Sequence, residues 1–402
     1  MTLVETSWDD ARAAAHNSGV VLPVEEIELG AGDRRVLARD VLASTSLPAF
    51  ATSAMDGWAV SGDGPWRVVG QVLAGSIWRG ELARGEAVRI ATGAAIPMGT
   101  FGVLRREHGS LTNDTLSNDD VVSGVVEPGQ DVRPAGEEAE VGDVLINSGT
   151  LMAPVHLGLA AAGGTDQLVV VSRPIAQVLV LGDELLDSGP SHDGQVRDSL
   201  GPQIPGWLAR MGVLTRELTR VQDTRDAHVA AINNAAIDRT ALGETGDVDL
   251  VVTTGGTAAG PVDHLHAAIA EVGGVLEVDS VAVRPGHPML LARLGERRWL
   301  LGLPGNPQSA VVALLSLGGP LLAALNGQPL TELDRITLGE DVGAPANETR
   351  LVLSTRDSGI ATTTGHLGSA MLRGLAHSDG FAVIPPGGLG RGSTARWLPL
   401  PR

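Results

Sequence analysis

The residues best placed to do chemistry are carboxylates and glycines at predicted turns. Asp56 sits among small neighbours in Ser53-Ala54-Met55-Asp56-Gly57, where a tight backbone lets a carboxylate reach a cation or ligand; it equally suits a turn Asp that caps its own backbone. Gly255-Gly256 follows a predicted strand and precedes a helix, a setting in which backbone amides and the helix dipole favour a phosphate or other oxyanion, or which merely connects the two elements. Pro304-Gly305-Asn306-Pro307 makes a second such turn, with the Asn306 amide and Ser309 near a helix start; capping is the plainer role for both. Asp183, Glu184, Asp198 and Asp263 fall at or just past predicted strand ends. Carboxylates repel anionic substrates unless a hard cation such as Mg²⁺ bridges them, the alternative being a solvated acidic rim. Arg133, Arg197, Arg284 and His287 supply opposing positive charge, or surface ion pairs.

The elements that must position these groups are clearest in the middle of the chain. Ile175 to Leu181 reads as a buried strand closed by Gly182, and Ile204 to Met211 has helical spacing. Arg216 to Val221 alternates like a strand, and Ala227 to Ile237 is an Ala-rich helix. Strands Asp249 to Thr254 and Trp299 to Leu303 each run into a glycine turn, followed by helices over Val262 to Val272 and Ser309 to Leu317. Strands alternating with helices in this way predict a doubly wound parallel sheet. Short alternating runs rich in Val and Gly over 68–146 predict a β-rich domain, and those after Leu330 a small terminal β domain. Helices are expected at Ser7 to Ala15 and Leu151 to Gly163. The fold expected is therefore α/β and multi-domain. Residues 1–45 with 147–172 form a helical and linking domain, 46–146 a β-rich domain, 173–326 the doubly wound domain and 327–402 a C-terminal β domain.

Composition narrows the chemistry. All 29 cationic residues are Arg, against 47 acidic ones, for a net charge of −18. The absence of lysine excludes a P-loop lysine, a Schiff base and a lysine general base. The absence of cysteine excludes thiolate metal sites, disulfides and a cysteine nucleophile. Seven Trp, three Phe and no Tyr in an acidic chain argue against nucleic-acid partners. Glu5, Asp9 and Asp10 stand where a leader would be apolar, and no run approaches a membrane span, so a soluble cytoplasmic protein without membrane partners is expected.

The string Leu47-Pro48 through Asp56-Gly57-Trp58 resembles the signature segment of the molybdopterin molybdenumtransferase family, the MoeA-type proteins and the C-terminal domain of gephyrin. The resemblance continues, in order, through Ile90-Ala91-Thr92-Gly93-Ala94, Val132 to Glu138, Gly182-Asp183-Glu184-Leu185 and Gln195 to Ser199. It resumes at Thr254-Gly255-Gly256 through Gly260 to Asp263, at Arg284-Pro285-Gly286, and at Leu303 to Pro307 with Ser309-Ala310. It implies insertion of molybdate into adenylylated molybdopterin, with Mg²⁺ assistance and AMP release, by a homodimer whose cleft the partner subunit completes. It also implies an upstream adenylyltransferase and molybdoenzyme apoproteins as partners. By position, Asp56, Thr92, Glu184 and Asp263 would be catalytic, with Glu184, Asp56 and Asp263 also holding the metal. The molybdopterin nucleotide would be held by Gly255, Gly256, Gly260, Arg284, His287, Pro304, Gly305, Asn306, Ser309 and Asp198.

Several positions depart from the family pattern. Leu181 stands where a hydroxyl is usual, Leu200 where Asn is, Ala258 where Ser is, Phe101 where Asp is, and His287 where Lys is. Removing a hydrogen-bonding group from a preorganised site costs about 1 to 3 kcal/mol. A non-catalytic molybdopterin carrier or scaffold is thus a second reading, and a nucleotide pyrophosphate hydrolase a third.

Overall fold

The computed structural model describes residues 2–119, 125–235, 247–257 and 264–401. The chain divides into two units, one made of 1–25 with 171–402 and the other of 26–170.

The first unit is built on an eight-stranded sheet. In spatial order its strands are Leu3–Thr6, Val275–Val281, Leu290–Gly295, Arg298–Leu303, Leu250–Thr254 and Ile175–Leu181, with Leu214–Thr215 and Thr219–Val221 both beside the last. Only Leu290–Gly295 runs against the rest, pairing antiparallel on both sides. The strand after Ile175–Leu181 lies on one side of it and Leu250–Thr254 on the other. That reversal of strand order opens a crevice at the carboxyl ends, where Gly182 and Gly255 emerge. The runs are apolar throughout because helices cover the sheet: Leu179, Leu181 and Val251 pack with Leu265, Ala268 and Ile232 in one core. The hairpin over 275–295 is absent from the expected βα alternation, since its runs match a parallel strand in length and apolarity and only the pairing reveals its direction.

On this sheet lies the most apolar helix of the described residues, Pro307–Leu325, with a mean hydropathy of 1.7 and 89% of its most apolar window buried. One π-helical turn, Leu314–Gly318, interrupts it. The N-terminal helix Trp8–Ser18, capped by Ser7, docks here, its Trp8 indole donating to Ser316 Oγ at 2.8 Å. Ser18 in turn accepts from the Trp299 indole at 2.9 Å. Residues 1–45 are expected from the sequence to group with 147–172. The structure instead makes Leu3–Thr6 an edge strand parallel to Val275–Val281 and buries Trp8 and Trp299 completely in this unit. Helical spacing reveals an apolar face but not the body it packs on.

The same unit ends in a small barrel. Thr349–Asp357, Ile360–Thr363, Asp334–Leu338, Thr394–Pro399 and Gly380–Ile384 pair in that order, and the last returns to Thr349–Asp357. Closure removes free edges except where a short strand, Val283–Arg284, adds itself in parallel to Thr349–Arg350.

The second unit holds a six-stranded sheet ordered Gly102–Arg105, Gly57–Val60, Glu86–Ile90, Trp66–Val72, Thr115–Asn118 and Gly109–Thr112. Its two faces bury Trp58, Trp66 and Leu104 on one side and Val72, Leu82 and Val103 on the other. The helix expected over 151–163 is observed at Pro154–Ala162.

A partly buried carboxyl marks the amino ends of the parallel strands. Burial pushes the Asp249 carboxyl up to about 6, against the hydrogen bond it accepts from the Ile175 amide at 2.9 Å. The folded chain therefore holds this proton more tightly than the unfolded one, and stability is lost as pH rises through 6. Asp249→Asn, which keeps an acceptor for Ile175, should raise the unfolding free energy at pH 7.5 by on the order of 2 kcal/mol, with the gain vanishing near pH 4. Urea melts of both proteins at the two pH values test this; an equal difference at both would refute it.

Candidate functional site

In the second unit, the turn before Gly57–Val60 carries Asp56, and the turn after Glu86–Ile90 carries Thr92. The two strands are antiparallel neighbours with Gly57 opposite Ile90, so the turns meet. Asp56 Oδ1 accepts from the Thr92 amide at 2.7 Å and from Thr92 Oγ1 at 2.8 Å. These bonds, followed by the fields of Arg106 and Arg89, hold the Asp56 carboxyl below its ordinary value. The exposed carboxylate is thus charged and oriented, with Oδ2 left to face solvent or a ligand. The loop is further pinned by a bidentate pair, Arg105 with Asp131 at 2.8 and 2.9 Å, whose Asp131 carbonyl accepts from the Ala54 amide. Gly57 is obligatory here, because a Cβ would lie 2.0 Å from the Leu104 carbonyl oxygen.

In the first unit the crevice is lined by loops from three strand ends. Gly182, at φ +126, lets the chain turn while the Glu184 carboxylate folds back to within 2.7 Å of where a Cβ would stand. Asp183 accepts from the Asp223 amide at 3.2 Å. Gly255 and Gly256 have φ of +88 and +69, as a turn of this type requires. The Gly255 amide, expected to be free for an anion, donates to the Leu303 carbonyl at 2.8 Å and so ties the Gly255 turn to the Pro304-Gly305 turn. Pro304 is buried, whereas Gly305 and Asn306 are exposed.

Asp198, expected from the sequence to contact the ligand, has both carboxylate oxygens engaged within the protein. It is 5% exposed; Oδ1 accepts from the Leu200 and Gly201 amides at 2.9 Å each, and Oδ2 from Arg220 at 2.9 Å. Oδ1 thus closes the turn, and Oδ2 ties it to the strand Thr219–Val221. Leu181, where a hydroxyl is usual, points into the core, and its side chain would lie 3.0 Å from a Cβ at Gly256. Ala258, Gly260 and Asp263 lie outside the described residues.

Arg284, His287, Asn306 and Ser309, far apart in sequence, line one cavity of about 510 Å³ together with Gln308, Arg350 and Ser369. The short strand brings this about: Arg284 is the register partner of Arg350. Arg284 Nε donates to Glu348 at 2.5 Å, which pushes the guanidinium above its already high value, and Arg350 Nη1 donates to the Gly343 carbonyl at 2.8 Å. Ser309 is 4% exposed and Gln308 1%. The backbone N–H of Gln308 donates to the Ser369 carbonyl at 3.0 Å, fastening the helix start to a barrel loop. Two arginines, an imidazole, two amides and two hydroxyls around such a volume suit a compact oxyanion. Arg350 and Ser369 escape a reading of the sequence because a single Arg in a strand and a single Ser in a loop carry no distinguishing spacing.

Among the described residues, no three His, Asp or Glu side chains converge on one point to hold a metal. The exposed oxygens of Asp56, Asp183 and Glu184 are nevertheless of the hard type that Mg²⁺ takes, and Mg²⁺ is ordinarily held by one or two carboxylates with water and substrate phosphate completing its shell.

Comparison with known proteins matches this architecture from end to end. Residues 6–164 match the MoeA N-terminal region (domain I and II), 177–324 the probable molybdopterin binding domain, and 335–400 the MoeA C-terminal region (domain IV). Over 310 residues the chain is 33% identical to the molybdopterin molybdenumtransferase of Haemophilus influenzae, covering 76% of this chain and 73% of that protein. The chain belongs to the molybdopterin molybdenumtransferase family. The Bacillus subtilis molybdopterin molybdenumtransferase is 30% identical over 370 residues, covering 88% of this chain and 84% of that one. The fold is that of the molybdopterin biosynthesis MoeA protein of Pyrococcus horikosii, with a TM-score of 0.77 at 23% identity over 98% of this chain and 99% of that one. The chain is accordingly a transferase-type enzyme of molybdenum cofactor biosynthesis, and molybdopterin and molybdate as substrates fit its family.

The Asp56–Thr92 pair can be tested directly. Thr92→Val removes one of the two bonds to Oδ1, so the Asp56 carboxyl should titrate higher than in the unaltered chain, while Thr92→Ser should leave it low. Carboxyl-carbon NMR titration reads both; a Val variant titrating with the unaltered protein would show that the hydroxyl does not set the charge.

Proposed function

We propose that this enzyme inserts molybdate into the dithiolene of adenylylated molybdopterin, with release of AMP. The observation that carries the reading is the cavity in which Arg284 and Arg350 stand in register beside His287, Asn306 and Ser309, a donor-rich volume suited to a tetrahedral oxyanion. The crevice of the same unit supplies the rest. The turns at Gly255-Gly256 and Pro304-Gly305 bring backbone close to a bound nucleotide without side-chain obstruction, as dinucleotide crevices of this sheet type do.

Within this reading the chain's own groups have distinct tasks. The arginines orient the oxyanion and balance its charge, Asn306 and Ser309 fix it by hydrogen bonds, and Glu184 lies over Gly182 at the strand end, where the pyrophosphate link would break. Asp56 is kept ionised by Thr92 as a base or cation ligand. Mg²⁺, when bound by Glu184, Asp56 or Asp263, would offset phosphate charge and favour departure of AMP. The protein is further proposed to act as a cytoplasmic homodimer that receives its substrate from an adenylyltransferase and passes its product to apoenzymes.

The buried, apolar setting of Leu181 bears on the carrier alternative. Core packing takes the place of the usual hydroxyl there, so the departure leaves the cavity and the Asp56–Thr92 pair intact.

A single-turnover assay with adenylylated molybdopterin, Mg²⁺ and molybdate decides the matter. AMP release should require molybdate and should fall about 100-fold or more in Asp56→Asn and in Glu184→Gln. Tight substrate binding with no AMP would make the chain a carrier, and AMP release that ignores molybdate would make it a hydrolase.

A further inference from the structure

The loop that carries Glu184 leaves the sheet at Gly182 and returns at Asp198, shortly before the helix Ile204–Arg210. Its two arms are bonded into one piece. Leu185–Leu186 pairs with Val196–Arg197, the Val196 amide donates to the Glu184 carbonyl at 2.9 Å, and the Asp198 amide donates to the Leu186 carbonyl at 3.1 Å. Near the tip, His192 and Gln195 exchange backbone bonds, and the Arg197 amide donates to Ser191 Oγ at 3.1 Å. A displacement of either arm is therefore passed to Glu184.

Arg220, in the neighbouring strand Thr219–Val221, grips both arms. Its Nε pairs with Asp187 Oδ1, and its Nη2 donates to Asp198 Oδ2 at 2.9 Å. Asp198 is itself fixed, its side chain 4% exposed and its Oδ1 taking the Leu200 and Gly201 amides. An exposed ion pair between two flexible side chains holds little. Here the guanidinium is already anchored on Asp198, so its planar fork loses little freedom in reaching Asp187. Asp183 adds a tie to the turn after the same strand, accepting from the Asp223 amide at 3.2 Å. The turns at Gly255 and Pro304 are tied to each other through the Gly255 amide and the Leu303 carbonyl, a bond in which Arg220 has no part.

We infer that Arg220 is a positioning residue: by holding Asp187 and Asp198 at once it fixes the loop against the sheet, and it acts on the reaction through Glu184. This rests on the reading of Glu184 as a catalytic group. A misplacement of about 1 Å costs a reacting geometry on the order of 100-fold in rate, while a substrate held by other turns binds as before.

The chain has no cysteine, so Pro190→Cys, at an exposed position of the loop, carries a single nitroxide whose mobility is read by electron paramagnetic resonance. Asp187→Asn is the first variant, because Asp187 is 72% exposed and its change leaves the Asp198 pair and the fold in place. The nitroxide should tumble faster in it, and single-turnover AMP release should slow about tenfold with substrate affinity altered less than about twofold. Arg220→Lys keeps a charge for Asp198 but lacks the fork, and should behave alike. Added to Glu184→Gln, Asp187→Asn should slow release no further, as expected of two changes that act through one group. Unchanged nitroxide mobility in Asp187→Asn and Arg220→Lys would overturn the grip. A further slowing in the double variant, or affinity lost in step with rate, would overturn action through Glu184. Should the unaltered protein release no AMP, the transferase reading falls, while the nitroxide still reports whether Arg220 holds the loop.

Discussion

Two residues of parallel pairing, Val283–Arg284 with Thr349–Arg350, are the constraint on which the first unit's cavity depends. They join the doubly wound sheet to a barrel that has otherwise closed on itself, and they place two guanidiniums side by side. Adjacent like charges on a sheet are unfavourable unless something answers them. Here Glu348 answers Arg284 and a carbonyl answers Arg350, by one N–H each in the bonds observed. A guanidinium has five such donors, so the arrangement retains capacity for an anion. The helix start is drawn into the same assembly through the bond from the Gln308 amide to Ser369.

Much of this is legible in the sequence because strand, turn and helix follow one another closely. The strands at 175–181, 250–254 and 298–303 and the glycine turns that end two of them stand where the apolar runs and glycines place them. Asp56 and Thr92 belong to separate sequence blocks and prove to be hydrogen-bonded partners. What a sequence cannot reveal are relations made only by pairing: the direction of Leu290–Gly295, the body on which Trp8–Ser18 docks, and the neighbourhood of Arg284 and Arg350. The Gly255 amide teaches the same lesson at atomic scale. A glycine turn advertises free donors, but a neighbouring strand end can claim one of them.

The departures from the family pattern divide by environment. Leu181 and Leu200 are 5% exposed each, and their side chains belong to the packed interior. Apolar residues there put buried area in place of a polar group, which stabilises the strand end and the turn after it. His287 is different, being half-exposed at a cavity wall where its ring is open to a ligand instead of packed in the interior. This chain, which has no lysine, places an arginine at 284 and a histidine at 287.

The way the barrel receives its extra strand also orders events in time. A ribosome delivers Arg284 well before Arg350, and the partner strands that hold Thr349–Asp357 extend to Pro399, later still. Until Gly380–Ile384 and Thr394–Pro399 have joined, there is no finished barrel wall for Val283–Arg284 to lean on. A nascent or truncated chain can thus complete its doubly wound sheet and still lack the cavity, so that a part of the protein synthesised late is the part that makes the pocket exist.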